Sequence, residues 1–357
     1  MRKLASIKII ESLSPIPNKD RIETARVDGW TVIVKRGEFE VGDLCVYVEI
    51  DSVLPEKPEF EFLRSKGFRI KTMKMAGVIS QGICFPMSIL PYGQYAIGDD
   101  VTALLGVTQY EPTQDVDPEL TKKKSRWPQW LMRYAWFRRI VGKNKRQRTG
   151  FPEFVPKTDE TRIQNVPEIL ERKNVHWTAT EKLDGQSGTF ALLRHRRKIL
   201  PDQFEFIVCS RNMRRYTPDN TSYWHVAKKY QLEKLLRSWI GNDDWVAIQG
   251  ECVGPGIQKN KYGLKDYDLY VFNVYTQHGG RMASLSARIQ CEDFGLKFVP
   301  IIDSGLVLPD TVDEVLAYAH GPSAIGDTLR EGIVFRSSDG KESFKAVDPL
   351  FLLKYDE

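Results

Sequence analysis

The 357-residue sequence predicts an α+β protein with an all-β first part and a mixed second part. Up to about residue 105, short runs rich in Val, Ile and Tyr alternate with turn signals, as in a small antiparallel β-barrel. From residue 161 to residue 357, strand-like runs alternate with segments of helical periodicity, which indicates antiparallel sheets and helices around a groove. The chain is long enough for two domains with separate cores, and residues 106–160 would connect them.

Several segments of the first part predict strands. A turn at Asp28-Gly29 leads into the β-branched run Trp30–Lys35, and Leu44–Ile50, Arg69–Met75 and Gly82–Pro86 continue the pattern. Short strands at this spacing fit a small barrel of the oligonucleotide-binding (OB) type over residues 1–105. Such a barrel would either contact nucleic acid or only support the second part.

The connector carries the positive charge of the chain. Residues 121–150 contain 11 Lys or Arg and no Asp or Glu, whereas the whole chain carries only +5. Aromatic residues at helical spacing predict a helix over Trp127–Val141, in which Arg133 and Arg138 are candidates for RNA contact. The same helix could instead pack the two parts together.

The second part predicts further strands and one clear helix. Trp177–Glu181 and Ser187–Leu193 would flank a turn, and Trp245–Gln249 would follow later in the chain. Tyr223–Ile240 has broad apolar faces and predicts a single long helix.

Composition excludes several classes of protein. No apolar run is long enough to span a bilayer, and the charged start of the chain lacks the apolar core of a signal peptide. The five cysteines form no CxxC pair, which argues against a disulfide framework and against a structural zinc site. We therefore expect a cytoplasmic protein with no membrane partner.

Five short motifs of the second part follow one another in a fixed order. The first is a lysine-containing tetrapeptide that is a weak signal alone, but the ordered set is far more specific. Together the motifs predict a site that attaches a nucleotide to a lysine and passes it to the end of a nucleic acid. In chain order they are Lys182-Leu183-Asp184-Gly185, Ser210-Arg211-Asn212, Gln249-Gly250-Glu251, Glu331-Gly332 and Ser343-Phe344-Lys345.

Lys182 is the candidate nucleophile. A lysine that attacks a phosphate must be neutral, although the ordinary pKa of lysine is about 10.4. A divalent cation at the α-phosphate would lower that pKa and absorb charge in the transition state. Glu251 and Glu331, each beside a glycine at an expected strand end, suit the oxygen ligation that such a cation needs. Asp184 would be a third carboxylate, or only a turn former before Gly185, whose lack of a side chain permits a tight turn.

Three further positions are candidates for nucleotide contact, each with a plainer alternative. Lys345 would hold the α-phosphate as a point charge, or would lie on a solvated strand edge. Arg211 would contact a ribose, a phosphate or an RNA end, or would simply be a surface residue. Phe272 or Tyr270 could stack on a purine ring, or pack in the core. Their occurrence alongside the ordered motifs favours the functional interpretations.

The ordered motifs resemble those of the covalent nucleotidyltransferase superfamily, which contains polynucleotide ligases and capping enzymes. The segments Thr161–Pro167 and Gly254–Asn260 resemble RNA ligases in particular. Ile16–Glu23 resembles an OB-type barrel placed before a ligase domain, which is the order of the RNA ligase 5 group.

The resemblance implies an ATP-dependent RNA ligase that uses Mg²⁺ or Mn²⁺. Lys182 would attack ATP to form lysyl-AMP, the AMP would pass to an RNA 5′-phosphate, and an RNA 3′-OH would then displace AMP and seal the strand. Residues 161–357 would form the adenylyltransferase domain with an ATP groove. The implied partner is RNA, with a nicked duplex that has an RNA 3′-OH strand among the candidates, and the implied state is a monomer.

The resemblance also assigns residues to roles. Asp184, Glu251 and Glu331 would bind the metal, and they join Lys182 and Lys345 as catalytic residues. Arg162 is a further candidate for contact with the nucleotide or the RNA. The nucleotide-binding set is Glu181, Lys182, Gly185, Arg211, Glu251, Phe272 and Lys345.

The last motif departs from the pattern of many relatives, which carry two lysines there. Ser343 occupies the first of those positions, so Lys345 is the main candidate, and Lys341 or Lys354 could share its task. Two alternatives stay open: another covalent nucleotidyltransferase, either a DNA ligase or a GTP-using capping enzyme, and a non-catalytic RNA-binding protein. The motifs fit a single-strand joiner, a nick sealer and a break-spanning repair ligase equally well.

Overall fold

The computed structural model describes residues 3–110, 150–215 and 221–355. Within these ranges the protein is α+β, as predicted, with a first part of short strands and a second part that mixes strands and helices. The helix expected over Trp127–Val141, with Arg133 and Arg138, lies outside the described residues. No helix in the described ranges is long and apolar enough to cross a bilayer.

The first part contains eleven short strands, one short helix and two 3₁₀ segments. The strands are β1 (Ala5–Ile9), β2 (Ser12–Pro15), β3 (Ile22–Val27), β4 (Trp30–Lys35), β5 (Leu44–Val48), β6 (Ser52–Val53), β7 (Arg69–Ile70), β8 (Thr72–Met75), β9 (Val78–Gln81), β10 (Ile83–Pro86) and β11 (Thr108–Gln109). The helix is α1 (Thr102–Leu105), and the 3₁₀ segments are Pro58–Lys66 and Met87–Ile89.

These strands form four small antiparallel sheets around one core. β5 lies between β1 and β10, β3 between β2 and β4, and β6 between β11 and β7, while β8 pairs with β9. Every second residue of β4 is buried, which is the alternation expected of a strand with one face on the core. The side chains of Trp30, Val46 and Val48 are fully buried there.

The prediction of a small β domain of the OB type is confirmed, although its described strands do not close into a complete barrel. β4 and β9 lie in different sheets, and the amide of Ile33 donates to the Ser80 hydroxyl (3.0 Å) instead of to a strand carbonyl. The run predicted over Arg69–Met75 is divided between two sheets. Gly82 adopts φ +100°, and a Cβ there would lie 2.5 Å from the Tyr47 ring, so the chain turns sharply beside the core.

The second part contains eleven strands and five helices in its described residues, 161–215 and 221–355. The strands are β12 (Trp177–Lys182), β13 (Gln186–His195), β14 (Gln203–Ser210), β15 (Arg214–Arg215), β16 (Trp245–Val253), β17 (Asp268–Thr276), β18 (Gly280–Arg281), β19 (Lys297–Phe298), β20 (Ile301–Leu306), β21 (Gly332–Ser337) and β22 (Ser343–Val347). The helices are α2 (Ser222–Lys229), α3 (Leu232–Trp239), α4 (Ser284–Asp293), α5 (Val312–Ala319) and α6 (Pro349–Tyr355). Short 3₁₀ segments occupy Ile163–Asn165, Pro167–Glu171 and Gln258–Asn260.

Two sheets organise this part. The smaller has the order β20-β12-β21-β22, and the larger has the order β15-β14-β13-β16-β17-β18, with β19 paired in parallel with β17. β12 ends at Lys182 and β13 begins at Gln186, so the chain passes from the smaller to the larger sheet at the tetrapeptide. The groove of the second part therefore begins at the predicted nucleophile.

The helix predicted over Tyr223–Ile240 is in fact two helices, α2 and α3. Gln231 lies between them in the left-handed region, with φ +47° and ψ +45°. The apolar residues of both helices still face the core of the larger sheet, among them Val226, Leu232 and Leu236. The hydrophobic pattern was thus sufficient to predict burial but not the break.

Polar contacts join the first part to the second. The Trp30 indole donates to Asn165 (2.8 Å), and the Asn165 amide donates to Glu49 (2.6 Å). Arg162 donates to Asp51 (3.1 Å) from a position that is 6% exposed. The segment just before β12 therefore lies against the first part of the chain.

Candidate active site

A cavity of about 1070 Å³ lies where the two sheets and the first part meet. The walls from the first part include Glu49 and Tyr110, and the rest of the lining comes from the second part. Ten of the predicted site residues line this one cavity. They are Arg162, Glu181, Lys182, Asp184, Gly185, Arg211, Glu251, Phe272, Glu331 and Lys345.

Lys182 ends β12 and lies opposite Gly332 of β21. Its Nζ donates to Glu331 Oε2 at 2.5 Å. Burial lowers the pKa of Lys182, but the carboxylates of Glu331, Glu251 and Asp184 outweigh burial and leave that pKa above its usual value. The lysine is therefore an ammonium ion in the free protein.

Three carboxylates surround this ammonium group. Burial, with the neighbouring charges of Glu331 and Asp184, raises the pKa of Glu251 to about 8, although Lys182 opposes the shift. Burial and Glu331 also raise the pKa of Asp184 to about 6, and Lys261 opposes that shift. The raised pKa values show that the three carboxyl groups have too few neighbouring cations to stabilise all of them as carboxylates.

Two glycines beside the carboxylates permit close packing. A Cβ on Gly185 would lie 2.4 Å from the carbonyl oxygen of Cys252 and 2.9 Å from Cγ of Glu251. A Cβ on Gly332 would lie 2.1 Å from the carbonyl oxygen of Ala346. Both distances are shorter than real Cβ contacts, so the glycines in the first and fourth motifs are required by close packing.

The carboxylate cluster fits a hard divalent cation that keeps part of its water shell. Oxygen ligands and a shortage of positive charge suit Mg²⁺ or Mn²⁺. In the described ranges, however, no three Asp, Glu, His or Cys side chains converge closely enough to enclose an ion by themselves. The fit is therefore to a cation held by one or two carboxylates, with waters and substrate phosphates completing its shell.

Lys345 and Arg211 meet at one carboxylate oxygen. Lys345 Nζ donates to Asp159 Oδ1 (3.0 Å), and the Arg211 guanidinium lies 3.1 Å from the same oxygen. Burial lowers the pKa of Lys345 to about 8, against the opposite effect of Asp159. Two cations predicted to contact the nucleotide thus converge on one anionic group, as they would on a phosphate.

The remaining predicted residues differ in their surroundings. Burial raises the pKa of Glu181, and its carboxylate accepts from the Ser323 hydroxyl (2.5 Å) and the Ala324 amide (2.8 Å). Phe272 is half-buried at the cavity wall. Tyr270, its alternative, does not line the cavity and lies in the core of the larger sheet.

Ser343, which replaces a lysine of many relatives, belongs to a polar cluster. It donates to Glu160 (2.5 Å) and accepts from Arg281 (3.0 Å). Lys341 is exposed and pairs with Asp339, and neither Lys341 nor Lys354 lines the cavity. The structure thus places Lys345, of these three lysines, in the cavity.

Sequence reasoning missed three residues that hold the site. Asp159 joins Lys345 to Arg211, and Lys261 contacts the Asp184 carboxylate. Tyr262 accepts a hydrogen bond from the Asp184 amide (2.7 Å). Lys261 and Tyr262 directly follow the segment Gly254–Asn260, which resembles RNA ligases. That resemblance was the only sequence feature that pointed towards them.

Comparison with known proteins agrees with this architecture. A family model described as RNA ligase matches residues 175–355, and one described as an OB-fold domain matches residues 4–87. Naegleria gruberi RNA ligase with PPi is 32% identical at a TM-score of 0.81, and the match covers 100% of this chain and 99% of that chain. A variant of the same ligase with ATP and Mn is 33% identical at a TM-score of 0.80, with both chains covered to 100%. A variant with AMP and Mn is 32% identical at a TM-score of 0.81, with both chains covered to 99%.

The comparison with curated protein sequences found no match. The fold and the two family models define a nucleic-acid-joining enzyme that has an N-terminal OB-fold domain. The chain belongs to the RNA ligase family, and its substrate is RNA.

Proposed function

We propose that the protein is an ATP-dependent RNA ligase that joins a 3′-OH to a 5′-phosphate through lysyl-AMP and RNA-adenylate. The observation that carries this proposal is the position of Lys182, which projects among three carboxylates in a cavity that also contains Lys345 and Arg211. The Naegleria gruberi ligase has been solved with ATP and Mn and with AMP and Mn, which supports the choice of nucleotide and metal.

In the first step the Lys182 amine attacks the α-phosphorus of ATP. The new N–P bond replaces the bond to the β-phosphate oxygen, and pyrophosphate leaves with the electron pair. The ammonium must first lose a proton, and the Glu331 carboxylate, 2.5 Å from Nζ, is in position to accept it. Asp184, Glu251 and Glu331 would hold a divalent cation, one or two of them directly and the rest through its bound waters, and the cation would supply positive charge that favours the neutral amine and offsets charge on the α-phosphate.

The second and third steps reuse the same cavity. An oxygen of the RNA 5′-phosphate attacks the phosphorus of lysyl-AMP, and the lysine nitrogen leaves and takes up a proton. The 3′-OH of the other end then attacks the RNA phosphate, and AMP leaves. Lys345 and Arg211 would contact the transferred phosphates, Phe272 would stack on adenine, and Glu181 and Gly185 would line the nucleotide site.

We assign the domains as residues 1–105, a connector over 106–160, and an adenylyltransferase domain over 161–357. The OB-fold match over residues 4–87 and the RNA ligase match over 175–355 fall inside the first and last of these. Arg162 would contact the nucleotide or the RNA from the domain junction, and Arg133 and Arg138 would contact RNA from the connector. Five free cysteines fit a reducing compartment, and we place the protein in the cytoplasm as a monomer.

The substrate proposal can be tested by strand joining. Nicked duplexes would carry RNA or DNA on each side of the nick, with a labelled 5′-phosphate, and each would be incubated with ATP or GTP and Mn²⁺. We expect sealing with ATP only when the 3′-OH strand is RNA, because a 2′-OH distinguishes the two strands. Equal sealing of all-DNA nicks would contradict the substrate assignment, and guanylate transfer in place of adenylate transfer would indicate capping chemistry.

ATP affinity should fall as the pH rises through about 8. Lys345 has a free-protein pKa lowered to about 8, so above that pH the site loses the charge that meets the phosphate. Linkage limits the loss to about tenfold per pH unit. ATP binding would be measured by calorimetry from pH 7 to 9.5 with an ATP analogue that carries a methylene group between the α- and β-phosphates, which removes chemistry and keeps the Lys182 charge that helps to lower the pKa of Lys345.

The matched control for this prediction is Lys345→Arg, which keeps its charge throughout the range. Its affinity should change little between pH 8 and pH 9.5. A parallel decline in both proteins would show that Lys345 is not the titrating group.

A further inference from the structure

Lys261 lies next to the predicted site but has no role in the reaction described above. Its Nζ contacts Asp184 Oδ2, and its side chain is only 10% exposed. The next residue, Tyr262, accepts a hydrogen bond from the Asp184 amide (2.7 Å). Two consecutive side chains thus hold the carboxylate and the backbone of the same aspartate, two residues from the nucleophile.

The helix α6 also contacts Lys261. Nζ lies 4.8 Å from the ring centroid of Phe351 and 4.8 Å from that of Tyr355. Aromatic faces attract an ammonium group and leave its charge unchanged. Lys261 is therefore in contact with two aromatic rings and with the Asp184 carboxylate.

The backbone before Lys261 is strained. Gln258, Lys259 and Asn260 are three consecutive non-glycine residues with positive φ, at +45°, +58° and +47°. The Asn260 side chain fixes this turn through two hydrogen bonds with Leu264, at 2.9 and 3.1 Å. Such strain persists where the surrounding structure enforces it, and it is common at functional sites.

The charges explain why Asp184 needs a second cation. The charges of Asp184, Glu251 and Glu331 all act on the Lys182 ammonium, and the three carboxylates repel one another when they are ionised. Without Lys261, the Asp184 carboxylate would be free to turn towards Lys182 and compete with Glu331 for the nucleophile. An ion pair that served stability alone would not need to lie beside the nucleophile.

We propose that Lys261 is a positioning residue for lysine adenylylation, which holds the Asp184 carboxylate in place while α6 holds Lys261. The inference rests on the proposed function, because it assumes that Lys182 accepts AMP. Lys261 itself touches neither the nucleotide nor the transferred phosphate in this scheme.

The test compares Lys261→Met with Lys261→Arg. The rate of protein–AMP formation would be measured in single turnovers with α-labelled ATP, over a range of ATP and Mn²⁺ concentrations. Residues that orient metal-site carboxylates typically contribute 10- to 100-fold to activity or metal affinity. We expect Lys261→Met to lower the rate at saturating ATP by about that factor and to raise the half-saturating Mn²⁺ concentration, with KM for ATP nearly unchanged.

Matched controls separate positioning from folding. Lys265→Met removes an exposed lysine of the same loop and should leave the rate unchanged. Lys261→Arg should recover most of the rate, because it keeps the charge. A double variant, Phe351→Leu with Tyr355→Leu, keeps Lys261 but removes both rings, and it should show a smaller loss in the same direction.

The outcomes distinguish this inference from the proposed function. No label on the wild-type protein, after treatment with pyrophosphate to remove bound AMP, would contradict the proposed function itself. Normal labelling of Lys261→Met would overturn only the role of Lys261. A different contrary result is a rate loss of Lys261→Met that equals the fraction of unfolded protein seen by thermal melting, with no recovery in Lys261→Arg. That result would also overturn the role of Lys261 and would show that its ion pair with Asp184 is purely structural.

Discussion

Replacing Lys182 with methionine should abolish the transfer of label from α-labelled ATP to the protein. Methionine has a similar length but no nucleophilic nitrogen, and loss of a covalent nucleophile can cost on the order of 10⁶-fold in rate. The label would be measured on denatured protein after pyrophosphate has removed any AMP bound during expression. Retained label would mean that another lysine of the cavity, such as Lys345, accepts the nucleotide.

A second substrate shows whether the Lys182→Met protein is otherwise intact. RNA that already carries a 5′-adenylate needs only the third step, in which the 3′-OH attacks and AMP leaves. The lysine amine is not the nucleophile of that step. We expect the variant to seal pre-adenylated RNA, and failure to do so despite an unchanged melting temperature would indicate that Lys182 also serves the final step.

The ordered motifs were sufficient to predict which residues meet in the cavity. Lys182 and Gly332 are adjacent in strand register although they are 150 positions apart in the chain. Ser187 and Glu251, which are 64 positions apart, are likewise adjacent across β13 and β16. No periodicity indicates such contacts. The set was predictable because each chemical role requires a particular residue type in a particular order, which the family resemblance supplied.

The residues that hold the site in place were not predictable in this way. Asp159 and Lys261 act through partners far away in the chain, and Asp and Lys at those positions are ordinary surface types. Only folding makes Lys261 nine-tenths buried beside two rings. The contacts of a supporting residue depend on tertiary packing, whereas the identity of a reacting residue depends on chemistry.

Two features of the fold were also not predictable from the sequence pattern. The apolar pattern over residues 223–240 is continuous, so nothing in it predicts the left-handed Gln231 that separates α2 from α3. Likewise, alternating burial along β3 and β4 predicts strands that face a core but does not predict which edges pair. Closure of a barrel depends on strand pairing at every edge. At the edge of β4, the Ser80 hydroxyl accepts the hydrogen bond of the Ile33 amide.

Glu251→Gln should make the free protein more stable while it makes the enzyme much less active. The Glu251 carboxyl has an ordinary pKa of 4.5, which burial and neighbouring carboxylates raise to about 8 in the folded protein. A group with a raised pKa binds its proton more tightly in the folded state, so its ionisation opposes folding. Glutamine keeps the shape of the side chain and removes that charge.

The sign and size of the stability change follow from the two pKa values. Wild-type stability should fall as the pH rises from about 4.5 to about 8, and it should then level off. At pH 7 the penalty is about 3 kcal/mol, since pH 7 lies about 2.5 units above the unfolded-state pKa of 4.5 and each unit corresponds to about 1.4 kcal/mol. The variant should therefore melt about 5 °C higher than wild type at pH 7 in EDTA, with little difference at pH 5.

The activity should change in the opposite direction. A carboxylate that helps hold the cation contributes to charge stabilisation in the transition state, and removal of one such group costs roughly 10²–10³-fold. Label transfer and thermal melting of wild type and Glu251→Gln, measured from pH 5 to pH 8.5, would test both effects in one series. A variant that melts at or below the wild-type temperature at pH 7 would show that the Lys182 ammonium already compensates Glu251 fully. A more stable but inactive variant would show that the crowding of carboxylates around Lys182 is maintained for catalysis at a cost in stability.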